Sequence, residues 1–140
     1  MGASGWNYRT PYLPDLAAAL GALRASVFAS GDYLWSSDED RPATIEQIWA
    51  NELAQTDGTH SILDIDHVSA DEDDAMGALR LLSAAETTEM FGRAEPTAES
   101  VKEIDLFDLL VEIPRWSGLA VALHTDGKPS EYLIWGISGD

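Results

Sequence analysis

Leu119-Ala120-Val121-Ala122-Leu123-His124-Thr125, then Asp126-Gly127, then Glu131-Tyr132-Leu133-Ile134-Trp135-Gly136-Ile137 is the most regular stretch of the chain. Two apolar runs joined across an Asp-Gly pair predict a β-hairpin, because Asp-Gly suits a turn whose twist matches that of paired strands. A lone hairpin is marginal in water, so this one must belong to a larger sheet. Upstream, residues 61–68 predict a strand: Ile62, Leu63, Ile65 and Val68 are apolar, and a strand would place Asp64 and Asp66 on one face. Residues 75–82 are a further candidate strand, although Met76-Gly77-Ala78-Leu79 has no β-branched residue and suits a helix almost as well.

Helical spacing fills the intervals. Leu16, Leu20, Leu23 and Val27 recur along residues 14–30, with Pro14 in the first turn and Gly31 as the stop. Aromatic residues flank this helix, Trp6, Tyr8 and Tyr12 before it and Tyr33 and Trp35 after it, and are expected to pack against it. Thr44 with Gln47 and Ser83 with Glu86 match the capping box, predicting a helix over 45–54 and a short one ending at Gly92. Residues 97–113 predict a last helix, bent near Ile104 to reconcile its charges and stopped by Pro114. Residues 36–42 and the run Asp71-Glu72-Asp73-Asp74 are polar connections. The expected fold is α+β: one domain over residues 1–140, with about four strands in a mostly antiparallel sheet, helices packed on one face and a C-terminal β-hairpin.

Charge narrows the function. The 140 residues contain 25 Asp plus Glu and 8 Lys plus Arg, a formal net charge of −17. Nucleic acid and anionic membranes are excluded as natural partners, since phosphate neutralisation needs clustered cations. At 45% hydrophobic residues and five Trp, the chain is too apolar for a disordered acidic tail. It has no cysteine, which removes disulfides, thiolate zinc sites and thiol nucleophiles. The N-terminus lacks the blocks of a signal peptide and no apolar run approaches the roughly 20 residues of a membrane span. A cytoplasmic protein is expected.

No His-Glu-x-x-His, phosphate-cradling glycine loop or Gly-x-Ser-x-Gly elbow is present, so those easily recognised hydrolase and nucleotide-binding signatures are absent. Asp64 and Asp66 are the candidate ligands for a divalent metal, with the acids at 71–74, or His60 and His124, as candidate further donors; the plainer reading puts both aspartates on a solvent face. His67 would point away from them on a strand. Ser61 beside His60 makes a poor nucleophile pair for the same reason. Trp6, Tyr8, Tyr12, Tyr33 and Trp35 either line a ligand groove or supply core area.

Trp6-Asn7-Tyr8-Arg9-Thr10-Pro11-Tyr12, Gly58-Thr59-His60-Ser61-Ile62-Leu63-Asp64, Phe91-Gly92 and the terminal Trp135-Gly136-Ile137-Ser138-Gly139-Asp140 together resemble a family of small uncharacterised bacterial proteins of actinomycetes and cyanobacteria. The resemblance spans nearly the whole chain. It implies a single intact domain and assigns chemistry to no residue.

The leading expectation is a protein-interaction module, of the inhibitor or immunity type, that neutralises a basic protein partner such as a toxin. Trp35, Asp38, Glu39, Asp40, Asp71, Glu72, Asp73 and Asp74 are the expected contact residues, the acids for steering and Trp35 as anchor. No cofactor and no catalytic residue is assigned. A metal-dependent protein using Asp64, Asp66 and a histidine, and a small-ligand sensor with an aromatic pocket, are the alternatives. Adaptation, as in acidic cytoplasmic proteomes and saline habitats, would account for the charge without any partner.

Overall fold

The computed structural model describes residues 4–105, 108–110 and 113–139. Nine elements matter: β1 (Gly5–Pro11), α1 (Leu16–Ser30), α2 (Ile45–Ile48), α3 (Glu52–Asp57), β2 (His67–Val68), β3 (Ala78–Leu81), α4 (Ala84–Phe91), β4 (Ser117–Thr125) and β5 (Lys128–Ile137). The fold is α+β, with the strands in one sheet of order β1-β5-β4-β3-β2. The β4–β5 hairpin is present as expected, and Asp126 (φ 54°) and Gly127 (φ 79°) both take the positive φ that its tight turn needs.

The sheet has five strands, not about four, and it is mixed: β1 and β4 flank β5 antiparallel, while β3 runs parallel to both β4 and β2. The added strand is β1. Its inward Trp6, Tyr8 and Thr10 alternate with exposed Asn7 and Arg9, the period-two pattern of a half-buried strand. Helices also cover both faces rather than one. Leu79, Ala120, Tyr132 and Ile134 pack with Leu16, Leu20, Leu23 and Val27 of α1, and Leu119, Val121, Leu123, Leu133 and Trp135 pack with Phe91 of α4 on the other side. Burial on both sides explains why β4 is nearly continuously apolar where a one-sided strand would alternate.

Local chemistry sets the ends. Asp15 caps α1 by accepting from the Ala17 N–H at 3.1 Å, one residue later than Pro14 implies, and Gly31 closes it in the left-handed region. The capping boxes at Thr44 and Ser83 both form. Asn51 accepts from the N–H groups of Leu53 and Ala54, which divides the helix expected over 45–54 into α2 and α3. On β3, Arg80 makes a bidentate pair with Glu86 of α4 at 2.6 and 2.9 Å, and holds the Glu86 carboxyl at about 2. The helix expected over 97–113 is replaced, in its described residues, by 3₁₀ turns at Ser100–Glu103 and Asp108–Leu110. Thr97 and Ser100 exchange side-chain and backbone bonds there, an alternative to helix that hydroxyl residues commonly offer. Residues 106–107 and 111–112 of that expected helix lie outside the described residues.

Candidate functional site

The segment 58–64 does not form a strand. Ser61 accepts from the Leu63 N–H and starts a 3₁₀ turn at Ile62–Asp64, leaving β2 with His67 and Val68 alone. Thr59 donates to Asp64 Oδ1 from both its N–H (2.7 Å) and its hydroxyl (2.8 Å), and its hydroxyl lies 2.7 Å from that of Ser61. The Ile62 N–H reaches the Tyr8 hydroxyl at 3.3 Å. Thr59 and Ser61 are fully buried and Asp64 is 5% exposed, so this is a closed polar network inside the core. Gly58 begins it at φ 77°, where an added Cβ would stand 2.7 Å from Asp64 Oδ2. Ser61 thus serves as the cap of this turn.

The turn parts the two candidate metal ligands. Asp64 is buried and bonded to Thr59, whereas Asp66 is exposed and pairs with His67 Nδ1. The two do not share a strand face, because that strand is not formed. Among the described residues, no three His, Asp or Glu side chains are grouped so as to hold a metal ion. His60 and His124 are likewise not set on neighbouring strands: His124 is on β4, whose partners are β3 and β5, and His60 sits in the 58–64 loop.

Both aspartates nevertheless border one recess of about 300 Å³, formed with Trp49, Gln55, Leu63, Met76, Gly77 and Trp116. Trp49 and Trp116 meet edge to face at 6.1 Å between ring centres, and Met76 stands 70% exposed at the rim. Trp116 has φ 64°, rare for a bulky residue, and is held by bonds from its N–H to the Ile137 carbonyl and from the Gly77 N–H to its own carbonyl. Gly139 lies against its ring so closely that a Cβ there would overlap the indole. Of the two roles open to the flanking aromatic residues, core area is the one they fill: Trp6 and Tyr33 are buried in the core, and Tyr8, Tyr12 and Trp35 pack against it. Trp35 also donates its indole N–H to the Glu39 carbonyl at 2.8 Å, so it shapes the acidic turn at 38–40.

The acids are unevenly placed. Residues 32–74 contain thirteen carboxylates against Arg41 alone, a net of −12, while the other 97 residues carry −5. Eleven of the thirteen are exposed, Asp38, Glu39, Asp40, Asp71, Glu72, Asp73 and Asp74 among them. This stretch leaves the end of α1 and is tied across itself by Asn51 Nδ2 to Glu39 Oε2 (3.1 Å), by the Leu34 N–H to the Thr59 carbonyl (2.8 Å) and by His67 Nε2 to Asp74 Oδ2 (3.0 Å). Asp66 and Glu46 also act on the half-buried Arg24, whose pKa burial pulls down against their pull upward.

Asp66, seconded by Asp74, holds the His67 imidazolium above its ordinary value against a smaller opposing effect of burial. A raised folded-state pKa contributes stability that is complete below about pH 6.5, the unfolded value, and fades as pH rises through the folded one. His67→Gln is therefore expected to lower the urea midpoint at mildly acidic pH and to match the wild type at alkaline pH. Equal losses at every pH would disprove this linkage.

No family model matches the chain, and searches of curated proteins and of solved structures give no match either. Among the described residues, no helix is long and apolar enough to cross a membrane.

Proposed function

We propose that this protein is a small cytoplasmic interaction module that binds a basic protein partner through the carboxylate surface of residues 32–74, as an inhibitor or immunity protein neutralising a toxin would. The observation that carries this reading is the concentration of −12 of the net charge in 43 consecutive residues, eleven of whose carboxylates face solvent. Such a field steers an oppositely charged protein toward the surface and raises its association rate by roughly 10- to 1000-fold. Adaptation to solvent alone has no reason to place charge so unevenly. The short ties among Trp35, Glu39, Asn51, His67 and Asp74 hold the acids in place before binding, which limits the ordering cost on association.

The test is to capture the partner from its host with the tagged full chain and measure the complex from about 0.1 M to about 1 M salt, where the screening length falls from roughly 10 to roughly 3 Å. A partner of basic pI whose affinity drops steeply over that range is expected. A partner bound equally well throughout, or one that is itself acidic, would refute electrostatic recognition.

A further inference from the structure

We propose that the recess bordered by Trp49 and Trp116 is the socket for an arginine side chain of the basic partner. The inference rests on the interaction reading above and adds the chemistry of its central contact. A cavity of about 300 Å³ is at the low end of ligand-binding volumes, a size for one side chain. Its walls are two indoles and the polarisable Met76 over a floor of Leu63. Indole faces attract a cation through their quadrupole, and the planar, weakly hydrated guanidinium stacks on them better than an ammonium does.

The electrostatics point the same way. Asp64 and Asp66 border the cavity, and Asp74 and Glu46 act on the His67 and Arg24 that neighbour Asp66, so carboxylates outnumber cations even when His67 is protonated. Apolar walls with an acidic rim favour a group that is cationic at its tip and apolar along its stem, which describes arginine. Five of the eight residues that line the recess belong to the carboxylate-rich stretch that would steer the partner, so a guided encounter ends beside the aromatic pair.

The experiment titrates the 140-residue chain with an oligo-arginine peptide and an oligo-lysine peptide of equal length, by calorimetry and tryptophan fluorescence at about 0.1 M salt. The wild type is expected to bind the arginine peptide more tightly. Trp49→Leu, and independently Asp66→Asn at an exposed position, should each weaken the arginine peptide about tenfold and remove its advantage over lysine. Near-ultraviolet circular dichroism checks that each variant is folded, and Asp66→Asn carries the test if Trp49→Leu is not. If both peptides bind in a salt-dependent way but a folded variant keeps the arginine preference, the socket is wrong and the acidic surface stands. If neither peptide binds the wild type, the acidic surface itself is wrong and the socket falls with it.

Discussion

Asp64→Ala is expected to destabilise the fold by about 3 kcal/mol, the scale of losing two hydrogen bonds to a buried acceptor and stranding a buried donor. Asp64 Oδ1 accepts from the Thr59 N–H and from its hydroxyl, and Thr59 is fully buried. Without the carboxylate the hydroxyl can still turn to Ser61, 2.7 Å away, but the backbone N–H is stranded in the core. Asp64→Asn keeps a carbonyl oxygen at that place and should cost markedly less. Urea unfolding of the three proteins measures the difference. An Asp64→Ala variant as stable as the wild type would show that the 58–64 network does not support the core.

Gly136→Ala should cost a comparable amount, about 3 kcal/mol, through overpacking. A Cβ there would stand 2.4 Å from Trp6 Cζ2 and 2.5 Å from the Ser117 carbonyl oxygen. Neither neighbour can withdraw easily: Trp6 is 6% exposed on strand β1, and Ser117 belongs to the adjacent strand β4. The same substitution at Gly21, inside α1 with nothing within 4 Å of the new Cβ, is expected to stabilise by about 0.5–1 kcal/mol. Thermal melts of both variants give the comparison, and a Gly136→Ala protein that melts with the wild type would show that the Trp6 ring is not pinned against β5.

What the sequence reveals of this fold is its local chemistry. The hairpin turn, α1 and both capping boxes depend on residues within four positions of one another, and all are found. The strand expected over 61–68 shrinks to His67 and Val68 because the Ser61 and Asp64 side chains accept from the backbone N–H groups of Leu63 and Thr59 and curl the segment into a turn. The helix expected over 97–113 gives way at its start to the Thr97–Ser100 turn, again a hydroxyl competing with a backbone ladder. β1 is not legible in the sequence because its aromatic residues suggest packing on a helix more strongly than pairing with β5, a strand more than a hundred residues away.

The site follows the same division. Its total charge is plain from composition, and the runs at 38–40 and 71–74 are exposed as their polarity implies. The recess is a meeting of Trp49, Met76 and Trp116, brought together by the short β2, by the bond from Gly77 to Trp116 and by the unusual backbone of Trp116 itself. No spacing rule connects residues so far apart.

The placement of the charge, and not its amount, is what the proposed function requires, and two variants of equal net charge measure it. One neutralises Asp38, Asp40, Glu72 and Asp73 as amides; the other neutralises Glu89, Glu95, Glu103 and Asp108, all eight being exposed. With the captured basic partner at about 0.1 M salt, the first variant is predicted to slow association and weaken binding about tenfold or more, and the second to stay within about twofold of the wild type. Equal losses in the two variants would mean that the partner senses only the overall charge, and would contradict recognition by the 32–74 surface.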